Sequence, residues 1–193
     1  MHDLCLIPAK GSSKRLPRKN LLHINGTPLL LRCLNKALNC DFFDTVCVST
    51  EDEQIAKLAT QGGAEVPFIR PVQLSQDPST LSDVIRHALR YYQETGIEVS
   101  TVTMLLPTSP FLEGKHIYEA ICLFREGTAP AVLSVTSCES PPFNTFVIEQ
   151  KLKQPRLAYC FPDSKFRKTK STECPETYRS NGAILILDVQ KFL

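Results

Sequence analysis

Apolar runs of strand length alternate along this chain with helix-length segments whose apolar residues recur every three or four positions. That alternation constrains the fold more than any other feature of the sequence. A strand leading into a helix and then into another strand is the βαβ unit of a parallel sheet, which needs helices over both faces. Residues 4–7, 45–49, 100–106 and 131–135 are read as strands, residues 66–70 as a shorter one, and residues 183–187 as a last core strand. Between them, a helix opens at Thr27 with Pro28 in its first turn and buries Leu30, Leu31, Leu34 and Leu38 on one face. Residues 52–60 predict a short helix ended by Gly62-Gly63. Residues 79–95 predict a long helix with Leu81, Val84, Ile85, Ala88, Leu89 and Tyr92 inward, and residues 115–126 one with Ile117, Ala120, Ile121 and Phe124 inward. The pattern adds up to a three-layer α/β domain on a mainly parallel sheet.

With 193 residues, 42% of them hydrophobic and 22% charged, the chain suffices for one sizeable core, and residues 1–193 are read as a single domain. Residues 137–180 break the pattern. Pro141-Pro142 precede a possible strand at 145–149, and a tract rich in Lys, Arg, Pro and Ser follows. This is read as an excursion from the sheet. Its apolar Phe143, Phe146, Val147 and Ile148 need another surface to cover them, so a homodimer is expected, with the excursion as its arm. A net charge of only +2 argues against a whole-surface attraction to nucleic acid or to an anionic membrane, so any basic function must be local. None of the eight cysteines forms a C-x-x-C pair, and several sit in apolar segments. Buried, reduced thiols in a cytoplasmic protein are expected, with no leader at the N-terminus and no apolar run of membrane length.

The local function is legible just after the first strand. Lys10, Lys14, Arg15, Arg18 and Lys19 cluster around Gly11-Ser12-Ser13, in the turn where open parallel sheets bind ligands. Backbone amides of Gly11, Ser12 and Ser13 can converge on an anion while the cations balance its charge. The turn reads as a triphosphate cradle. It is neither G-x-x-x-x-G-K-[ST] nor G-x-G-x-x-G, which speaks against P-loop hydrolysis and dinucleotide binding.

Pro8-Ala9-Lys10-Gly11-Ser12-Ser13-Lys14-Arg15-Leu16-Pro17-Arg18-Lys19-Asn20 resembles the P-A-R-G-G-S-K-G-[IL]-P-x-K-N signature of the acylneuraminate cytidylyltransferases, the CMP-sialic acid synthetases and their legionaminic and pseudaminic acid relatives. Further matches follow in order. Val48-Ser49-Thr50-Glu51-Asp52 is similar to V-S-T-D, and Arg70-Pro71 with Leu74 and Asp77 is similar to R-P-x-x-L-x-x-D. Leu105 through Pro110 is similar to L-L-Q-P-T-S-P, and Tyr178-Arg179-Ser180-Asn181-Gly182-Ala183 to [FY]-x-x-N-G-A. The resemblance implies a Rossmann-like, GT-A-like nucleotide-diphospho-sugar transferase fold. It also implies transfer of CMP from CTP to a nonulosonic acid, with Mg²⁺ and a homodimer. By the same transfer Lys10 and Lys19 are catalytic, and Ala9, Gly11, Ser12, Ser13, Lys14 and Asn20 bind nucleotide, Asn20 at the ribose. Arg70, Ser79 and Thr80 border the cytosine, and Leu106, Thr108, Ser109, Lys168, Lys170, Tyr178 and Asn181 face the sugar acid.

The departures bear on chemistry. Leu106 stands where the family has a glutamine, and Lys10 replaces an arginine and its planar bidentate fork. Ser171 stands where an arginine often precedes the Tyr178 element, with Lys168 and Lys170 as the nearest substitutes. The family's Mg²⁺ carboxylates come from a D-[IVL]-D element farther beyond the N-G-A strand than this sequence runs, and no D-x-D occurs anywhere in it. The metal ligands are therefore unassigned, with Asp188 read as a capping or surface residue. The alternative is a nucleotide or sugar-acid binding module, or a shortened fragment, lacking the metal site. A CMP-Kdo synthetase is a nearer neighbour, but its V-Q-G-D-E-P-like strand end is absent. His87, His116, Cys122 and Cys138 have no sequence partners for nucleophilic catalysis and are read as structural.

Overall fold

Leu4, Cys5, Leu6 and Ile7 are all fully buried, because β1 (His2–Pro8) is an inner strand of a sheet covered on both faces. The structure, a computed structural model, describes residues 2–150 and 154–193. β1 pairs in parallel with β4 (Thr45–Ser49) on one side and with β5 (Val99–Leu105) on the other, so that Leu6 lies opposite Cys47 and Met104. β9 (Tyr178–Asp188) runs antiparallel to β5, and β6 (Ala131–Ser137) completes the order β4-β1-β5-β9-β6.

The two-residue period of β1 divides the core. Cys5 and Ile7 face the layer of α1 (Leu29–Leu38), α2 (Glu53–Gln61) and α4 (Gly114–Glu126), with Leu30, Leu34, Ile55, Ile117 and Ile121 buried there. Leu4 and Leu6 face α3 (Leu81–Glu94) and α5 (Val189–Phe192), against Ile85, Ala88, Leu89, Tyr92 and Val189. Each fully buried Leu or Ile contributes about 1.5–3 kcal/mol, which makes the sheet a rigid base for the loops at its ends. The three layers and the mainly parallel sheet agree with the sequence pattern.

Two local expectations are corrected. Thr27 does not cap α1. Asn25 (φ 50°) and Gly26 (φ 77°) turn a small hairpin between β2 (His23–Ile24) and β3 (Thr27–Pro28), and Pro28 is the residue before the helix. Residues 66–70 form no strand. A single bridge joins Glu65 to Cys47, and Pro67 denies the segment a backbone donor. The Arg70 amide nonetheless donates to the Thr50 carbonyl at 2.8 Å, which brings that arginine beside the end of β4.

The chain divides into two units, residues up to Ser134 with Gly182–Leu193, and Val135–Asn181. The smaller unit holds a hairpin of β7 (Phe146–Glu149) and β8 (Arg156–Tyr159), with Phe146 4.5 Å from Tyr159 between ring centroids and Arg167 over Tyr159. Residues 151–153 of the expected arm lie outside the described residues.

Candidate active site

The loops at the carboxyl ends of β1 and β5, the segment around Arg70 and the start of α3 enclose a cleft of about 300 Å³. Four cations line it, Lys10, Arg15, Lys19 and Arg70, and no carboxylate does. The rest of the wall mixes hydroxyls (Ser75, Ser79, Thr80, Thr108) with apolar Leu74, Leu81, Val84 and Leu106. Such a lining suits an anion that also carries apolar surface.

Carboxylates outside the cleft sort the five cations of the first loop. Lys14 turns outward to Asp77 at 2.7 Å, with both side chains about four-fifths exposed, and Arg18 pairs with Asp52 at 3.0 Å. Lys10, Arg15 and Lys19 have no carboxylate partner among the described residues and face the cleft. Lys10 Nζ does reach the Ser75 carbonyl at 3.4 Å. Sequence reasoning counted Arg15 among the cations without singling it out and favoured its neighbour Lys14. Which of two adjacent lysine and arginine side chains points inward depends on the loop backbone and on Asp77, far along the chain. Partial burial lowers the pKa of Lys19, and the nearby charges of Arg15 and Lys10 lower it further.

The amides of Gly11 and Ser12 do converge on an anion, but the anion is internal. Glu51 Oε1 accepts from Gly11 N (2.9 Å), Ser12 N (3.2 Å) and Ser12 Oγ (3.1 Å). Glu51 Oε2 accepts from Arg70 Nη2 (2.9 Å) and Ser75 Oγ (2.8 Å), while Arg70 Nε donates to Ser75 Oγ (3.0 Å). Burial alone would raise the Glu51 carboxyl, but the bonds from Ser75, Arg70 and the loop bring it down to about 2. A carboxyl held below its ordinary value of 4.5 contributes its full stability above that pH and loses it only as the pH falls toward 2. Ala9, Gly11, Ser12 and Ser13 accordingly shape the loop without lining the cleft; Ala9 is fully buried and its amide bonds Ser49 O.

Asn20 is 2% exposed and lines the cleft. Its Nδ2 holds the Lys10 carbonyl at 2.9 Å, while its Oδ1 is buried without a partner. Ser79 Oγ is likewise buried, unpartnered and in the wall. Buried polar atoms without partners cost free energy, so these two are open to a bond from whatever occupies the cleft. Thr80 spends its hydroxyl on a capping box with Asp83 at the start of α3. Leu106 borders the cleft beside Gly182, whose φ of 71° favours glycine and where a Cβ would stand 3.2 Å from Leu106 Cδ1. Thr108 lines the cleft and Ser109 does not. Lys168, Lys170, Tyr178 and Asn181 belong to the smaller unit, where Tyr178 Oη donates to Glu176 and Asn181 Nδ2 to Val135 O.

The Cytidylyltransferase family model matches residues 4–191. The chain belongs to the cytidylyltransferase family. It is 32% identical to the pseudaminic acid cytidylyltransferase of Campylobacter jejuni, over 95% of this chain and 77% of that one. It is 30% identical to the CMP-N,N'-diacetyllegionaminic acid synthase of Legionella pneumophila, over 100% of this chain and 81% of that one. A structure of CMP:2-keto-3-deoxy-manno-octonic acid synthetase complexed with CTP superposes with a TM-score of 0.71 at 16% identity, covering 100% of this chain and 76% of that one, a likeness of fold alone.

The described residues give this cytidylyltransferase no cluster of metal-binding side chains. No three His, Cys, Asp or Glu side chains converge among them, and the charged wall of the cleft is wholly cationic. Asp188 caps α5 through Lys191 N. His116 Nδ1 accepts the Glu113 amide, and His87 packs edge-on against Phe68. The eight cysteines are free thiols; burial pushes Cys33 and Cys47 up to about 12, which removes them as nucleophiles. No helix among the described residues is long and apolar enough to cross a membrane.

Proposed function

We propose that this cytidylyltransferase transfers the cytidylyl group of CTP to a nonulosonic, sialic-type 2-keto acid, giving the CMP-sugar and pyrophosphate. The observation that carries the reading is the cleft lined by Lys10, Arg15, Lys19 and Arg70 with no carboxylate among its lining residues. The relatives named for pseudaminic and diacetyllegionaminic acids support the acceptor class and weigh for an enzyme over a binding module. The anomeric hydroxyl attacks the α-phosphorus as the bond from that phosphorus to the pyrophosphate oxygen breaks. Such a transfer asks the protein mainly for positioning and for charge stabilisation.

In this reading Lys19 neutralises charge at the α-phosphate, and Lys10 with Arg15 holds the departing pyrophosphate. Asn20 Oδ1 accepts from a ribose hydroxyl, while Arg70, Ser79 and the apolar Leu74, Leu81 and Val84 border the base. Leu106 and Thr108 face the sugar acid. Mg²⁺, which the family resemblance implies, would reach this cleft on the phosphate oxygens of CTP. Titration with CTP tests the assignment: Arg15→Ala weakens binding about tenfold or more, whereas Lys14→Ala stays within about twofold. Equal losses from both variants would contradict it.

We further propose a homodimer through the smaller unit, and a sugar-binding role for Ser109 in the larger unit and for Lys168, Lys170, Tyr178 and Asn181 in the smaller one. Ile148 and Leu157 are 62% and 70% exposed on a two-stranded sheet, and an isolated hairpin of that kind is marginal in water. Light scattering at tens of micromolar is expected to give twice the 21.6 kDa chain mass, and a monomer would remove the idea.

A further inference from the structure

We propose that Glu51 is a positioning residue of this site, a fixed internal anion that ties the first loop and Arg70 into the arrangement that receives CTP. The inference rests on the nucleotide reading above. Glu51 does not line the cleft, yet its carboxylate ties the loop that carries the lining residues Lys10 and Arg15 to Arg70 and Ser75 in the facing wall. From one oxygen it gathers the amides of Gly11 and Ser12 and the Ser12 hydroxyl; from the other it holds Arg70 and Ser75. Those five bonds exhaust a carboxylate's acceptor capacity, so the group is saturated by protein and has none left for a ligand.

The arrangement does two things for the site. First, Arg70 is 3% exposed, and a buried guanidinium needs a counter-charge; among the described residues Glu51 is the carboxylate paired with it. With Nη2 on Glu51 and Nε on Ser75, one edge of the planar fork is fixed, and the side chain enters the cleft wall in one orientation. Second, the loop that carries Lys10 and Arg15 is drawn onto the turn that carries Ser75, because Lys10 Nζ reaches the Ser75 carbonyl at 3.4 Å. Because the amide nest is filled by Glu51, the cationic side chains and not the loop amides are left to bind the triphosphate. A neutral isostere cannot substitute. A glutamine has one acceptor oxygen and presents an NH₂ group to donors already in place.

The test is CTP affinity by calorimetry on the full chain, with melting temperature recorded for every variant. Glu51→Gln weakens CTP binding about 10- to 100-fold in folded protein, and Ser75→Ala, a milder change, weakens it about 3- to 10-fold. If Glu51 acts through Arg70, the costs are not additive: in an Arg70→Gln background, adding Glu51→Gln costs under about threefold more. Wild-type affinity in folded Glu51→Gln or Ser75→Ala, or fully additive losses in the double variant, would overturn the proposal and leave the nucleotide reading standing. A wild-type chain that binds CTP no better than UTP would overturn that reading and this inference with it.

Discussion

Lys19→Ala is expected to lower CTP-dependent pyrophosphate release about 100- to 1,000-fold, the usual cost of removing one group that stabilises transition-state charge. Lys19 lines the cleft without a carboxylate partner, in a pocket of charge it shares with Arg15 and Lys10. Its removal exposes no core and breaks no described ion pair, so the melting temperature should move by no more than about 2 °C. The same residue sets an alkaline limit. A lysine whose pKa is lowered by burial and by neighbouring cations loses its proton earlier as the pH rises, so CTP affinity should fall at a lower pH than ordinary lysine would allow. Lys19→Arg should move that limb upward. An unchanged rate in Lys19→Ala would remove Lys19 from the chemistry.

Gly11→Ala should damage both stability and binding. A Cβ at residue 11 would collide with Asp52 Oδ2 and stand 2.9 Å from Asp52 Cβ. Asp52 cannot simply yield, since Oδ1 caps α2 through Gln54 N and Ile55 N and Oδ2 holds Arg18. Overpacking costs about 1–3 kcal/mol and a disturbed cap about 1 kcal/mol more, which lowers the melting temperature by roughly 4–16 °C. Because Gly11 N also donates to Glu51, the displacement spreads to Arg70, and CTP affinity should fall about tenfold or more. A stable Gly11→Ala variant with normal affinity would show that the loop has room that the geometry denies it.

The reach of the sequence is clear from particular residues. The run Leu4-Cys5-Leu6-Ile7 read as a strand from its length and the basic turn after it, and its four consecutive apolar side chains are those of a strand buried on both faces. Helix faces were largely legible, since a 3.6 period survives a tertiary context that buries one side, but Leu38 and Leu81, read as inward, lie at helix ends and are 40% and 43% exposed. The hairpin at Asn25-Gly26 was readable in principle from the dipeptide, but Thr27-Pro28 imitates a helix start and masked it. The Glu51 latch was not readable. It joins residues 19 to 40 positions apart through a loop conformation no local pattern encodes, and a glutamate after V-S-T looks like any solvated acid. The sorting of Lys14 outward and Arg15 inward was hidden for the same reason: Asp77 decides it from 63 positions away.

The account stands most directly on one measurement, pyrophosphate released by this chain from CTP in the presence of N-acetylneuraminic, legionaminic or pseudaminic acid, with Mg²⁺ supplied. The expected result is release that requires both CTP and one of the acids and that collapses in Lys19→Ala. Release from UTP or ATP at the same rate as from CTP, or none with any of the three acids from a folded protein that binds CTP, would contradict it.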